Sequence, residues 1–313
     1  MIEIVFLDSL TLGNVSNLDI FQELGNFKLY KITPPEKVIE RSQNADVIIT
    51  NKVIIDKNVI DNCPKLKLIC LTATGMNNVD LDYAYKKNIT VKNVANYSTE
   101  SVAQTTFAML LNLITHLNYF DRYVKSFQYC ESEIFTHYGR TFSLLNGKTF
   151  GIIGLGNIGK RVAEIAQSFG CNVIYYSTTG QNKNSNYINV DFETLIQNSD
   201  IISIHCPLNE NTKNLIRYEH FKKMKSSVII LNLGRGGIIN EADLAKAIDE
   251  NLIAAAATDV FTKEPPDKDH PLLNIKNKEK LLLTPHIAWA AIECRELLVR
   301  KTYENIVEFL KTI

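Results

Sequence analysis

Apolar residues along the first hundred positions fall into short runs separated by stretches of helical spacing. Ile2–Leu7, Val47–Thr50, Leu66–Leu71 and Thr90–Val94 read as strands, and Pro35–Asn44 and Val79–Lys87 as helices between them. This alternation predicts a parallel sheet with crossover helices. A long helix is expected from Ser98 to Thr115. Ser98, Thr99 and Ser101 are available to cap it, and Val102, Phe107, Leu110, Leu111 and Ile114 form its apolar face. Residues 118–147 are rich in aromatic and polar groups without clear periodicity and read as a connecting region.

A second series begins at Lys148. Its first strand, Lys148–Ile153, runs into Gly154-Leu-Gly156-Asn157-Ile158-Gly159. Ile158, Val162, Ile165, Ala166 and Phe169 then recur at helical spacing up to a stop at Gly170, and Val173–Tyr176 forms the next strand. Strand, glycine turn, helix and strand are the context in which such glycines bind a dinucleotide. The first permits the tight turn, the second lets the backbone approach the pyrophosphate, and the third lets helix and strand pack closely. The helix N-terminus offers free N–H groups to the phosphates. Later strands are expected at Ile201–His205, Val228–Leu233, Ile253–Thr258 and Leu281–Leu283. A helix should start after the N-cap Asn240, and a final helix should start at Ile292. Ser177–Asn186 reads as an exposed polar loop.

Composition narrows the function. The 313 residues suit two domains, and 45% hydrophobic content supports substantial cores. Basic and acidic residues balance at 34 each, which argues against nucleic acid or an anionic membrane as partner. No apolar run reaches the ~20 residues of a membrane span. The opening Met1–Leu7 has the character of a strand and not of a leader peptide. Six cysteines without a Cys-x-x-Cys pair suggest reduced thiols in a cytoplasmic protein, and no metal-ligand pattern stands out.

Three segments carry chemistry, each directly after a buried strand. In Asn232-Leu233-Gly-Arg235-Gly-Gly237 the guanidinium has the planar fork that binds a carboxylate. Thr258-Asp259-Val-Phe-Thr-Lys-Glu264 supplies a carboxylate. Leu283-Thr-Pro-His286-Ile-Ala-Trp289 supplies an imidazole suited to acid–base work near neutrality. Taken singly, each has a plainer reading as a surface arginine, a solvated loop carboxylate or a structural histidine. Trp289 fits either core packing or a pocket wall.

Together these segments resemble the D-isomer-specific 2-hydroxyacid dehydrogenase family. Thr72-Ala-Thr74-Gly75-Met-Asn-Asn-Val-Asp80, Asn96–Gln104 and Ile204-His-Cys206-Pro207-Leu208 with Thr212 extend the match over nearly the whole chain. Thr50-Asn-Lys52, Tyr97-Ser-Thr99 and Pro285-His-Ile-Ala-Trp289 are most similar to the glycerate dehydrogenase (hydroxypyruvate reductase) branch. The resemblance implies two doubly wound parallel-sheet domains. A Rossmann NAD(P)-binding domain at 99–287 would be inserted into a flavodoxin-like substrate domain, 1–98 and 288–313. It also implies a homodimer and a small 2-keto or 2-hydroxy acid as substrate.

Roles follow by matched position. Arg235 would hold the substrate carboxylate, with backbone N–H groups of Thr74 and Gly75 on its other oxygen and Trp289 nearby. His286 would protonate the carbonyl oxygen, and Glu264 would orient the imidazole and favour its charged form. Gly154, Gly156, Asn157, Ile158, Gly159, Ser177, Thr178, Cys206, Pro207, Thr212, Leu233, Asp259 and His286 would meet the cofactor. One departure stands out. The acidic ribose clamp expected about 20 residues after the glycines is Ser177 here, followed by Thr178, Thr179 and, further along, Lys183. NADPH is therefore expected to be preferred, with NADH as a weaker substrate. Two alternatives share the pattern: a broad 2-keto acid reductase such as a D-lactate dehydrogenase, and a nucleotide-sensing corepressor. The presence of Arg235, Glu264 and His286 favours an enzyme.

Overall fold

A computed structural model describes every residue except Asn182, Lys183, Ser185 and Ile313. The chain forms two compact units, Met1–Ser98 with Ala290–Ile313 and Thr99–Trp289. Ala288 and Trp289 therefore group with the second unit.

The first unit is built on five parallel strands, β1 (Ile2–Phe6), β2 (Gly25–Leu29), β3 (Val47–Thr50), β4 (Leu68–Leu71) and β5 (Thr90–Lys92), in the order β2-β1-β3-β4-β5. β3 and β4 are buried at every residue, which explains their unbroken apolar sequence. Helices α1 (Val38–Ser42), α2 (Lys57–Asp61) and α3 (Leu81–Lys86) are short. Asp56 and Asp80 cap the last two by accepting the Val59 and Tyr83 N–H groups at 2.9 and 3.0 Å. The C-terminal helix Ile292–Leu310 buries Leu298, Val299, Ile306 and Phe309 in this unit.

The second unit opens with α4 (Thr99–Thr115) and α5 (Leu117–Lys125). The region expected to lack periodicity thus contains a helix. It escapes a core-seeking pattern because none of its residues is buried. Then follow β6 (Thr149–Ile153), α6 (Asn157–Ser168), β7 (Asn172–Tyr176), β8 (Ile188–Asn189), α7 (Phe192–Asn198), β9 (Ile201–Ile204), α8 (Tyr218–Phe221), β10 (Ile229–Asn232), α9 (Glu241–Asp249), β11 (Ala255–Thr258) and β12 (Leu281–Leu283). All seven strands are parallel, in the order β12-β11-β10-β9-β6-β7-β8. Chain direction reverses across the sheet between β6 and β9, the switch point at which open α/β sheets bind ligands.

Successive strand residues feed two cores. Ile229 and Leu231 face one, and Val228 and Ile230 the other. The sheet is covered on both faces, so both units are doubly wound and no barrel closes. Among the described residues, no helix is long and apolar enough to cross a membrane.

Candidate active site

One row of paired residues crosses the second sheet. Tyr176 pairs with Ile153, Ile153 with Ile204, Ile204 with Asn232, Asn232 with Thr258, and Thr258 with Leu283. Every chemical segment leaves the sheet just after this row: Ser177, Gly154, Cys206, Arg235, Asp259 and His286. Parallel strands make this a single edge, so segments as far apart in sequence as Gly154 and His286 converge there.

The three glycines meet three different demands. Gly154 has φ +92°, and a Cβ on it would stand 2.7 Å from the Cys206 nitrogen. A Cβ on Gly159 would lie 2.3 Å from the Gly154 carbonyl oxygen, so strand and helix pack in contact. A Cβ on Gly156 would meet no atom within 4 Å and would project into open space. Gly156 also caps α6 without a side-chain hydrogen bond to the helix. An open cradle at an uncapped helix N-terminus fits a dinucleotide pyrophosphate. Asn157 is exposed at the first helical position, and Ile158 packs partly against the core.

The neighbouring segments shape the cradle more than they face it. Cys206 is buried, and burial pushes its thiol up to about 12, so it is a neutral packing group and no nucleophile. Thr212 is fully buried. Its hydroxyl donates to the Pro207 carbonyl at 2.7 Å and accepts the Asn209 N–H at 2.8 Å. It secures the loop from within. Leu233 is likewise buried in the core.

Ser177, expected in an exposed loop, is only 8% exposed because it directly continues β7. Thr178 is half-buried and Thr179 exposed. Lys183 lies outside the described residues. Next to Cys206, burial holds the His205 imidazole at a pKa of about 3, so it stays neutral. His205 Nε2 meets the Ser203 hydroxyl at 2.8 Å, while its buried Nδ1 has no partner among the described residues.

His286 Nδ1 lies 2.7 Å from Glu264 Oε2. The pair is about one quarter and one third exposed, at 26% and 31%, so it is reachable without being freely solvated. Glu264 Oε1 accepts the Phe261 N–H at 3.0 Å, which fixes the carboxylate at both ends. Asp259 does the same for the His286 loop. It is 1% exposed, and its carboxylate accepts from the Thr284 hydroxyl at 2.6 Å and from the Ile287 and Ala288 N–H groups at 2.8 Å each. Its own carbonyl accepts the His286 N–H at 2.8 Å, and His286 sits at φ +55°. His286 is held there by this set of bonds, with Nε2 making no hydrogen bond among the described residues. A cavity of about 470 Å³ opens beside the pair, lined by Phe261, Glu264, Pro265, Leu283, Pro285 and His286.

Arg235 is exposed and has no carboxylate partner among the described residues; one guanidinium nitrogen donates to the Gly234 carbonyl at 2.8 Å. Asn232 shapes this turn, donating to the Arg235 carbonyl at 2.9 Å and accepting the Gly234 N–H at 3.2 Å. A Cβ on Gly236 would stand 2.0 Å from the Phe261 carbonyl carbon, so the arginine turn and the Glu264 loop touch. Trp289 is half-buried and packs on the core of the second unit; Ser101 Oγ donates to the preceding Ala288 carbonyl at 2.6 Å. Thr74 and Gly75 belong to the first unit, on the loop after β4, where the Thr74 hydroxyl donates to the Val94 carbonyl at 3.0 Å.

Sequence reasoning did not single out Asn232, Asp259 as an organiser, or Gly236. Their only signal was a polar or small residue at the end of an apolar strand.

Residues 107–288 match the family model for the NAD-binding domain of D-isomer specific 2-hydroxyacid dehydrogenases. The hydroxypyruvate reductase of Blautia hydrogenotrophica is 37% identical over 318 residues, covering 99% of this chain and 97% of that one. A D-lactate dehydrogenase from Aquifex aeolicus, solved with NAD and lactic acid, superposes with a TM-score of 0.84 at 27% identity, covering 99% and 96% of the two chains. An acyclic imino acid reductase, solved with NADPH and D-Arg, superposes with a TM-score of 0.85 at 28% identity, covering 99% and 97%.

Proposed function

The chain belongs to the D-isomer-specific 2-hydroxyacid dehydrogenase family, and from that membership we propose that it reduces hydroxypyruvate or glyoxylate to the 2-hydroxy acid, the D enantiomer where the product is chiral, and catalyses the reverse. It is an NAD(P)-dependent oxidoreductase acting on the CH–OH group of donors. The observation that carries the reading is the 2.7 Å His286–Glu264 pair, on the sheet edge that also carries Arg235, which has no carboxylate partner among the described residues.

The residues divide the work. Gly154, Gly156 and the α6 N-terminus bind the cofactor, which supplies the hydride when bound. Arg235 takes the substrate carboxylate with two parallel hydrogen bonds. The Glu264 carboxylate accepts a hydrogen bond from the His286 Nδ1–H, which keeps its proton, and stabilises the imidazolium. Nε2 then carries the proton delivered to the carbonyl oxygen during reduction and recovers it during oxidation. Thr74 and Gly75 are assigned to substrate recognition on the family resemblance alone.

Three finer statements belong to the same reading. NADPH is preferred, because Ser177, Thr178 and Thr179 offer hydroxyl donors where an acid would repel a 2′-phosphate. The enzyme is a homodimer. Its segment 117–144 exposes Phe127 at 74%, Phe135 at 89% and Tyr138 at 80%, a concentration of apolar surface that marks an interaction site. It works in the cytoplasm, in keeping with six cysteines and no Cys-x-x-Cys pair.

The test is loss of NADPH and NADH absorbance with a panel of 2-keto acids. Hydroxypyruvate or glyoxylate should give the highest kcat/KM. Pyruvate in first place would favour the lactate dehydrogenase reading, which the likeness to the Aquifex aeolicus enzyme supports. No oxidation with any member would refute turnover.

A further inference from the structure

A second carboxylate–imidazole pair lies behind the first. Glu241 opens α9, and its Oε2 lies 2.8 Å from His270 Nε2. The two side chains are only 12–13% exposed. His270 Nδ1 accepts the Leu272 N–H at 3.3 Å, so the ring proton sits on Nε2 and points at Glu241. The ring stands edge-on to Phe261, with centroids 5.4 Å apart. The other Glu241 oxygen, Oε1, accepts the Thr262 N–H at 2.7 Å.

Consecutive N–H groups of one loop therefore go to two different carboxylates. Phe261 donates to Glu264, the partner of His286, and Thr262 donates to Glu241. On its other side this loop abuts Gly236. We infer that Glu241 and His270 are positioning residues that fix the 261–264 loop and thereby aim Glu264 at His286. The inference rests on the catalytic reading of that pair. His270 pins the Glu241 carboxylate, Glu241 pins Thr262, and the Phe261 N–H then meets Glu264 at a fixed angle. If Thr262 loses its acceptor, the loop is free to shift, and Glu264 moves with it.

Glu241→Gln tests this with little change of shape. The amide oxygen can still take the Thr262 N–H, but the NH₂ then faces the His270 N–H, donor against donor. kcat with hydroxypyruvate should fall about tenfold, less than the ~10² that a 1 Å misplacement can cost. KM for the nicotinamide cofactor should stay within about twofold, because the glycine cradle is untouched. His270→Asn retains an oxygen to cap Leu272 but is too short for Glu241, so it should show a smaller loss of the same kind.

The deciding readout is a double-mutant cycle with Glu264→Gln. If Glu241 acts through Glu264, the Glu241→Gln loss should shrink to less than about twofold in the Glu264→Gln background. A full tenfold loss there, or wild-type kcat in Glu241→Gln beside an impaired Glu264→Gln, overturns the inference. Wild-type behaviour of Glu264→Gln alone would instead bring down the catalytic reading, and this inference with it. If Glu241→Gln does not fold, His270→Asn carries the same cycle.

Discussion

At the residue scale, the site is a set of side chains held by backbone groups. His286 is bonded through its ring to Glu264 and through its main chain to Asp259. His286→Ala should lower kcat by two to four orders of magnitude, the ~10²–10⁴ that general acid catalysis contributes. Cofactor binding, measured by fluorescence titration, should change little. Turnover within a few-fold of wild type would remove His286 from the proton-donor role. Arg235→Lys keeps the charge but loses the planar fork, so kcat should fall and KM for hydroxypyruvate should rise in steady-state kinetics. Wild-type values would refute carboxylate clamping. Arg235, Glu264 and His286 were legible in the sequence because each follows an apolar strand and carries a group with obvious chemistry. Glu241 was not. An acid at the first position of a helix has a sufficient local reason to be there, and only the fold shows it reaching Thr262 and His270.

At the scale of elements, strands with an unbroken apolar run could be read closely, and strands without one could not. Val47–Thr50 and Leu281–Leu283 lie where the pattern predicts. Gly25–Leu29 escaped because it is a sheet-edge strand with no fully buried residue, and Ile188–Asn189 because two residues carry no period. Asn240 caps α9 as expected, accepting the Asp243 N–H at 3.0 Å. The proposed cofactor preference rests on the loop after β7. Ser177→Asp would place a carboxylate at the strand end, able to accept from ribose hydroxyls and repel a 2′-phosphate. It should move the kcat/KM ratio toward NADH. If the wild type excludes NADPH and the substitution leaves the ratio unchanged, another segment selects the cofactor.

At the scale of the whole molecule, there are two parallel sheets, with orders β2-β1-β3-β4-β5 and β12-β11-β10-β9-β6-β7-β8, and the second gathers the candidate site's segments at one edge. Strand order is the part of the fold that periodicity could not supply, since it depends on pairings distant in sequence. The exposed aromatic segment 117–144 should bring two chains together. Light scattering after gel filtration should give twice the 35.4 kDa of one chain, and a monomer mass at micromolar concentration would contradict the dimer. The reduction itself is tested most directly by its stereochemistry. Hydroxypyruvate and NADPH should be incubated with the enzyme, and the glycerate formed should be resolved on a chiral column. D-glycerate is the predicted product; L-glycerate, or no glycerate with either reduced cofactor, would contradict the assignment.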